Sequence, residues 1–311
     1  MRSNQMEIYT ASELRTFQSC PFSWYWEYYQ GLKRWSSLAQ LVGSAVHLGL
    51  GLRAQKAEDQ VWRKEIDLLF SEECLGLISE NEKIWTKLEA SKVLVDHFPL
   101  DQFHILQTEI VFESKITNPQ TGWSLHNCRI AGKIDALAEI KGKEGLWIVE
   151  YKTTSTMDEY FLKKLSLELQ GFIYLEYFPA KVEGIVYIII QKPLIRIRQH
   201  ESEEEFCKRL DSDVTEENYS MLFQRKTEQA EAITQMQNEI ITLIRYLKRS
   251  IRDKRFWHNP STCRSWQGCG YADLCLSRSL NPTNDLTGKF RMYQNKHPEL
   301  LSPEERKELP F

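Results

Sequence analysis

The sequence predicts an α/β fold in which a mixed central sheet is flanked by helices. Helical patterns fill roughly the first hundred residues, strand patterns cluster in the next hundred, and helical patterns then return. A strongly apolar run over residues 184–190 has the composition of a buried strand. This order of elements is typical of a sheet covered on its faces by helices.

The same patterns divide the chain into an N-terminal helical region (1–100), a sheet core (101–200) and a C-terminal helical region with a polar tail (201–311). Helices are predicted over about 10–30, 38–54, 56–97, 157–178 and most of 202–256. Strands are predicted over 104–116, 128–140, 146–151, 184–190 and 194–200. The first three strands should form an antiparallel meander, and 194–200 should pair with 184–190 across Pro193.

Composition limits the class of protein. The 311 residues are 42% hydrophobic and 27% charged, as in ordinary soluble proteins. No apolar run approaches the roughly 20 residues of a membrane-spanning helix, and the N-terminus lacks the apolar core of a signal peptide. We therefore expect a cytoplasmic protein with no membrane partner. Because the net charge is −3, any nucleic-acid-binding surface must concentrate its positive charge locally.

Two acidic residues and a lysine lie on consecutive predicted strands. Asp135 is inside one strand, and Glu150 and Lys152 are at the end of the next. Side chains alternate along a strand, so Glu150 and Lys152 share a face while Tyr151 points to the core. Paired in register, the strands bring Asp135 beside Glu150. Two carboxylates suit Mg²⁺ or Mn²⁺, and an ammonium can orient a metal-activated water. The pattern fits phosphodiester hydrolysis, and equally a surface salt bridge between Glu150 and Lys152.

The cysteines are unevenly distributed. There are seven, and an odd number in a cytosolic chain argues against a disulfide-based fold. Cys263, Cys269 and Cys275 fall within thirteen residues near the C-terminus, and Cys20 lies far upstream. Tetrahedral zinc and free buried thiols are both compatible with this set. The remaining cysteines, Cys74, Cys128 and Cys207, are expected to be ordinary buried or half-buried thiols.

A basic helix precedes the cysteine cluster. Arg245, Lys248, Arg249 and Arg252 recur at spacings of three and four, so they lie along one helix face. We interpret this face as a candidate phosphate-contacting surface, and the alternative is a solvated charged helix. Smaller basic pairs occur at Lys33–Arg34 and Lys163–Lys164.

Together the motifs resemble the PD-(D/E)XK nuclease superfamily, whose core is the restriction-endonuclease-like fold, and within it the RecB-like branch. The matching positions are Asp135 with Glu150, Tyr151 and Lys152; residues 43–47 for Gly-x-x-x-His; residues 170–174 for Gln-x-x-x-Tyr; and Glu109 for an acidic residue on the first core strand. The resemblance covers most of the chain, from Cys20 to Cys275. It implies a Mg²⁺ or Mn²⁺ site of His47, Asp135, Glu150 and Tyr151. It also implies that Lys152 assists the water, with Gln170 and Tyr174 beside the site.

The distant cysteine and the C-terminal three resemble the iron–sulfur staple of RecB-like nucleases, such as AddB-type subunits and CRISPR-associated nucleases of spacer acquisition. The resemblance implies a [4Fe–4S] cluster on Cys20, Cys263, Cys269 and Cys275 that joins the N- and C-terminal segments. The first gap of this C-x₅-C-x₅-C run is three residues longer than in the usual pattern.

We therefore expect a metal-dependent DNA nuclease. The preferred form is an exonuclease acting on DNA ends or single strands in recombination, repair, phage DNA processing or CRISPR adaptation. The alternatives are a structure-specific endonuclease and a catalytically silent DNA-binding or scaffold subunit of a helicase–nuclease complex. The sequence has no phosphate-binding Gly-x-x-x-x-Gly-Lys-[Ser/Thr] loop, so any unwinding would come from a helicase or recombination partner.

Overall fold

The computed structural model describes residues 6–74, 81–264, 268–276, 290–301 and 305. The strands are β1 (Glu7–Thr10), β2 (Leu32–Arg34), β3 (Phe103–Thr117), β4 (Ser124–Ile140), β5 (Leu146–Thr154), β6 (Gly184–Gln191), β7 (Tyr219–Arg225) and β8 (Phe290–Met292). The helices are α1 (Ala11–Ser19), α2 (Pro21–Trp24), α3 (Leu38–Ala54), α4 (Asp59–Glu73), α5 (Asn81–Asp96), α6 (Glu159–Ser166), α7 (Leu169–Tyr177), α8 (Glu203–Asp213), α9 (Ala230–Asp253), α10 (Pro260–Cys263) and α11 (Ala272–Leu276). A π-helical turn, Tyr25–Tyr29, continues α2.

The central sheet is mixed. Strands β3, β4 and β5 form the antiparallel meander that the turns predict. Strand β6 pairs with β5 in parallel, and β7 pairs antiparallel with β6. Strand β1 adds to β4 in parallel, and β2 and β8 form a separate two-stranded ribbon. The predicted α/β fold with a mixed sheet between helices is confirmed.

One predicted strand pairing is wrong. Residues 194–198 have no regular structure, and β7 occupies the place beside β6 that residues 194–200 were expected to fill. The alternating Ile195 and Ile197 pack instead against a small core between α5 and α8. Strand β7 also interrupts the stretch 202–256, which was expected to be mostly helical. The predicted helix 157–178 is two helices, α6 and α7, with a break at Leu167 and Glu168.

Apolar side chains cover both faces of the sheet. On one face, residues of α1, α6, α7 and α9 pack against Ile148 of β5 and Ile185 of β6. On the other face, residues of α3, α4 and α5 pack against Val149 and Val186. Burial of this surface is the main force that holds helices on the sheet. No helix among the described residues is both long and apolar enough to cross a bilayer.

The two ends of the chain meet through direct contacts. The backbone oxygen of Ser19 accepts hydrogen bonds from Asn259 (2.8 Å) and Thr262 (2.9 Å). Arg291 stacks on Trp35 and makes a two-pronged ion pair with Glu73 at 2.8 and 2.9 Å. The fully buried carboxylate of Glu13 pairs with Lys296 (2.6 Å) and His297 (3.2 Å). The hydrogen bonds of Ser19 place Cys20 next to the segment that carries Cys263.

Candidate active site

The candidate site lies at a fork between β4 and β5. On one edge, β4 pairs with β3 over most of its length. On its other edge, residues 128–131 pair with β1 and residues 136–139 pair with β5. Residues 132–135 lie between these two pairings and have no strand neighbour on that edge within the described sheet. Asp135 therefore sits where β5 separates from β4.

Side chains take the place of the missing ladder hydrogen bonds. The backbone N–H of Tyr151 donates to Oδ2 of Asp135 at 2.8 Å. The hydroxyl of Tyr174 on α7 donates to the backbone oxygen of Lys133 at 2.6 Å. Because an unpaired buried backbone group costs roughly 1–3 kcal/mol, both contacts stabilise the open edge of the fork.

Glu150 and Lys152 lie on the same side of β5, which faces α7, as strand alternation predicts. Their charged groups are 3.0 Å apart. Gln170 accepts from the Lys152 ammonium at 2.7 Å and donates to Oε1 of Glu150 at 2.8 Å. It also donates to the Tyr174 hydroxyl at 2.7 Å, because residues four apart share one helix face. The structure thus brings Glu150, Lys152, Gln170 and Tyr174 into one network.

His47 reaches the site from α3, on the opposite side of the sheet. Its Nδ1 lies 3.1 Å from Oδ1 of Asp135. A Cβ on Gly43, one helical turn earlier, would lie 3.1 Å from the Thr153 hydroxyl, so only a small residue lets α3 approach β5 this closely. The Tyr151 side chain is buried in the core beneath the His47 ring. Only the main chain of Tyr151 therefore faces the site.

Glu109 lies opposite Asp135, between the Thr108–Ala136 and Ile110–Ile134 pairs. Its φ of 55° is unusual for a residue with a side chain, and such strain is often found at functional sites. Its carboxylate makes an ion pair with Lys133. Glu109 is thus next to the fork, but its ion-pair partner is Lys133.

The sequence patterns missed two charged residues. Oε2 of Glu168 lies 3.1 Å from the Lys152 ammonium, and its Oε1 accepts from the Arg15 guanidinium at 2.9 Å. Glu168 is two residues before Gln170, so the spacing to that motif was the available signal. Arg15 had no signal, because it lies on α1, far away in sequence. Lys152 thus donates hydrogen bonds to Glu150 and Gln170 and makes an ion pair with Glu168.

The charges at the fork shift one another's pKa values. Burial and the nearby charge of Asp135 raise the pKa of Glu150 to about 7. Burial opposes the imidazolium of His47, but Asp135 outweighs burial and raises the pKa of His47. Burial likewise opposes the ionised form of Asp135, and His47 still holds its pKa below the usual range. The fork is an acidic site in which Asp135 ionises readily and Glu150 keeps its proton to a higher pH than an ordinary carboxyl group.

The carboxylates fit a divalent cation. Oε2 of Glu150 is buried and has no hydrogen-bond partner among the described residues, which is costly unless a cation or proton satisfies it. Asp135 and Glu150 supply the oxygen ligands that Mg²⁺ and Mn²⁺ prefer. With the side chains as they stand, no three His, Cys, Asp or Glu groups of the described chain are arranged around a common metal position. At the fork, Nδ1 of His47 pairs with Oδ1 of Asp135, so these two groups contact each other and do not face a shared metal position.

Replacing Glu150 with glutamine should change how the metal-free protein's stability depends on pH. A carboxyl group whose pKa is higher in the folded protein stabilises the fold at pH values below its ordinary pKa of 4.5. This stabilisation is lost as the pH rises through the folded-state pKa of Glu150, about 7. Glutamine cannot ionise, so the variant should melt above the wild type in EDTA at about pH 8, and the difference should shrink towards about pH 5. Thermal melts at both pH values test this. A difference that does not vary with pH would show that Glu150 is not the titrating group.

Gly171 lets α7 approach β6. A Cβ at this position would overlap the buried hydroxyl of Tyr187. Gly171→Ala should therefore push α7 and Gln170 away from the sheet and cost roughly 1–3 kcal/mol. Gly51→Ala is the matched control, because a Cβ there meets no atom within 4 Å. Urea denaturation should show destabilisation only for Gly171→Ala, and an equally stable Gly171→Ala protein would contradict this packing.

The four cysteines of interest lie near one another. Cys20 is buried and ends α1, Cys263 is exposed, and Cys269 and Cys275 are half-buried. Burial raises the pKa of Cys263, and the nearby Cys269 and Cys20 raise it further. The pKa of Cys275 is raised in the same way by burial and by the other three thiols. These thiols are close enough for their charges to interact, although residues 265–267 between two of them lie outside the described chain. Cys74, Cys128 and Cys207 are half-buried, buried and half-buried, respectively.

The predicted basic face lies on α9. Arg245 is exposed and makes no ion pair with any described residue. Lys248 lies 3.2 Å from Glu7, and Arg249 and Arg252 lie 3.4 and 2.8 Å from Asp253. Exposed ion pairs of this kind contribute roughly 0–1 kcal/mol, so Arg249 and Arg252 can exchange Asp253 for a phosphate.

Comparison with known proteins identifies the family. The family model of the PD-(D/E)XK nuclease superfamily matches residues 9–276, a span that contains the whole fork. A comparison with curated proteins found no significant match. A solved structure described as "Crystal structure of SSO0001" aligns with 18% identity over 55% of this chain and 72% of that chain, at a TM-score of 0.24, which is too low to support an argument. Because the family match spans most of the sequence, the chain belongs to the PD-(D/E)XK nuclease superfamily.

Proposed function

We propose that the chain hydrolyses phosphodiester bonds in DNA at the β4–β5 fork. Members of the superfamily are nucleases that typically use Mg²⁺ or Mn²⁺. The observation that supports the assignment here is the buried, unpartnered Oε2 of Glu150 beside Asp135 and Lys152. A buried carboxylate oxygen without a hydrogen-bond partner is uncommon in folded proteins, and a metal ion bound by Asp135 and Glu150 would satisfy it.

Asp135 and Glu150 would hold the metal ion, with His47 beside them as a candidate third ligand. A bound Mg²⁺ or Mn²⁺ polarises the phosphate and lowers the pKa of a bound water. The Lys152 ammonium is fixed by its acceptors next to Glu150, where it can orient the water and stabilise the negative charge that develops. Gln170 keeps Lys152 and Glu150 in place. Tyr151 contributes through its main chain, which fixes the Asp135 carboxylate.

Within this assignment we propose an exonuclease that acts on DNA ends or single strands, in recombination, repair, phage DNA processing or CRISPR adaptation, with a helicase or recombination protein as partner. A structure-specific endonuclease is the second candidate, since it would use the same fork. A silent DNA-binding subunit is disfavoured because Asp135, Glu150 and Lys152 are all present at the fork.

Labelled linear and circular DNA, single- and double-stranded, distinguish these candidates. With Mn²⁺ present, an exonuclease should shorten linear DNA from its ends and leave circles intact. Cleavage of circular DNA would exclude an exonuclease and support the structure-specific endonuclease. Binding to every substrate with no cleavage of any would support the silent subunit.

We also propose that Cys20, Cys263, Cys269 and Cys275 bind a [4Fe–4S] cluster, with zinc as the alternative. The support is the bonding of Ser19 to Asn259 and Thr262, which places Cys20 next to the segment of Cys263, together with the neighbouring thiols, which add to burial in raising the pKa values of Cys263 and Cys275. Four thiolates are the usual ligand set of such a cluster.

The exposed face of α9 is proposed as a phosphate-contacting surface formed by Arg245, Lys248, Arg249 and Arg252. Arg245→Gln should weaken DNA binding about equally for all sequences and reduce the slope of log affinity against log salt by about 1. Titrations at several salt concentrations measure that slope. Lys208→Gln, at an exposed lysine of α8, is the control and should leave it unchanged. An unchanged slope for Arg245→Gln would remove α9 from the DNA-binding surface.

A further inference from the structure

We propose that an exposed stripe, formed by Tyr160 and Lys164 of α6 and by Leu167 at the C-terminal end of this helix, is a binding track for a single strand of DNA that leads to Lys152. Arg15 of α1 completes this α6 track at the end nearest the fork. The proposal rests on the proposed nuclease function and specifies the form of DNA that enters the site.

Tyr160 and Lys164 share one face of α6 because they are four residues apart, and Leu167 caps the C-terminal end of the helix. Tyr160 and Leu167 are 77% and 76% exposed, among the most exposed apolar side chains of the described protein. The opposite side of α6 is anchored, with Leu165 buried in the core. The helix therefore presents an aromatic ring, an ammonium and an aliphatic side chain to solvent from a fixed position.

The α6 track ends at the active site. Leu167 directly precedes Glu168, which contacts both Lys152 and Arg15. The Arg15 side chain is 51% exposed. Its one hydrogen bond to a described residue uses Nη1, and a guanidinium has five N–H donors. Arg15 is thus positioned to contact a phosphate adjacent to the one being cleaved.

The composition of the α6 track favours unpaired DNA. Single strands bind to surfaces that combine cations for the phosphates with aromatic rings on which bases stack. A duplex keeps the faces of its bases stacked inside, so an exposed ring and Leu167 gain little from it. Single exposed apolar residues are common on protein surfaces. Here an aromatic ring and a lysine share a helix face, an aliphatic side chain follows at the end of that helix, and the three lead to the proposed phosphodiester-cleaving site, which argues for DNA over a protein partner.

The α6 track can be tested by measuring DNA binding in a variant that lacks cleavage activity. In the Glu150→Gln background with Mg²⁺, we compare Tyr160→Ala with Tyr160→Phe by fluorescence anisotropy on a labelled single strand and on the matching duplex. Tyr160→Ala should weaken single-strand binding roughly fivefold to 100-fold. Tyr160→Phe, which keeps the ring, should stay within about twofold, as should duplex binding of both variants. Unchanged single-strand binding by Tyr160→Ala, or an equal loss on the duplex, would overturn the proposal.

A strand with abasic sites separates base stacking from phosphate contact. The parent protein should bind it more weakly than the normal strand, and Tyr160→Ala should cause no further loss, because the ring has no base to contact. A full Tyr160→Ala effect on the abasic strand would contradict stacking.

Cleavage assays keep this proposal distinct from the nuclease assignment. If cleavage requires Lys152 but single-strand binding is unaffected by Tyr160→Ala, the α6 track is overturned and the nuclease assignment stands. Absence of cleavage, together with the expected binding pattern, overturns the nuclease assignment and leaves the DNA-binding surface supported.

Discussion

Replacing Lys152 with alanine should lower the rate of DNA cleavage by about 10²- to 10³-fold, the usual effect of removing one group that stabilises developing charge. The Lys152 ammonium contacts Glu150, Glu168 and Gln170 and is largely buried at the fork. No other lysine or arginine of the described chain contacts Glu150, so no neighbouring cation can replace it. Single-turnover cleavage of end-labelled DNA with saturating Mn²⁺ measures the chemical step without the contribution of product release.

Two comparisons make this result specific. Lys208→Ala changes an exposed lysine of α8 that pairs with Glu204, and it should cleave at the wild-type rate. Circular dichroism and thermal melting should show that Lys152→Ala is folded, because the buried Glu150, whose pKa is already raised, can take up a proton when the ammonium is removed, and because Tyr151 and Tyr174 hold the fork. A folded Lys152→Ala protein that cleaves within threefold of the wild-type rate would exclude Lys152 from the reaction.

Replacing Cys20 with serine should remove the proposed cluster. The protein purified without oxygen should be brown, with broad absorbance near ~400 nm and about four irons per chain, as expected of a [4Fe–4S] centre. Cys20 is buried at the end of α1, so no external thiol can replace it. In Cys20→Ser, iron should fall to well below one per chain, the colour should fade and the melting temperature should drop. Iron analysis and absorbance spectra measure the change.

Cys74→Ser is the matched control, because Cys74 is half-buried at the end of α4 and its pKa is raised by burial and Glu73 and not by another thiol. It should keep the colour and the iron. A colourless wild-type protein with about one zinc per chain would establish the zinc alternative. A protein with neither metal would leave the four thiols as ordinary cysteines. The direct contacts between the chain ends, such as Glu13 with Lys296, should keep Cys20→Ser folded at low temperature.

Local patterns predicted much of the sheet. Period-two alternation and turn residues located β3, β4 and β5, and the run of β-branched residues located β6. They failed where distant contacts decide the structure. Residues 194–200 alternate like a strand, but their isoleucines pack on α5 and α8. Strand β7 is short and uncharged from Tyr219 to Gln224, lies between highly charged helices, and pairs with the free edge of β6.

The candidate site divides in the same way. Asp135, Glu150 and Lys152 could be proposed from strand alternation, and Gln170 with Tyr174 from helical spacing. The position of His47 followed only from a family resemblance, because α3 reaches Asp135 across the sheet. Glu168 and Arg15 were missed because their roles depend on how α1 packs beside α7, which no local pattern contains.

The most direct test of the account is metal-dependent cleavage by the wild-type protein beside Asp135→Asn. End-labelled DNA is incubated with each protein in EDTA and then with Mn²⁺ or Mg²⁺ added. A metal-dependent active site at the fork predicts no cleavage in EDTA, cleavage by the wild type once the metal is added, and no detectable cleavage by Asp135→Asn with either metal. Cleavage that persists in EDTA, or equal cleavage by wild type and Asp135→Asn, would contradict a metal-dependent active site at the β4–β5 fork.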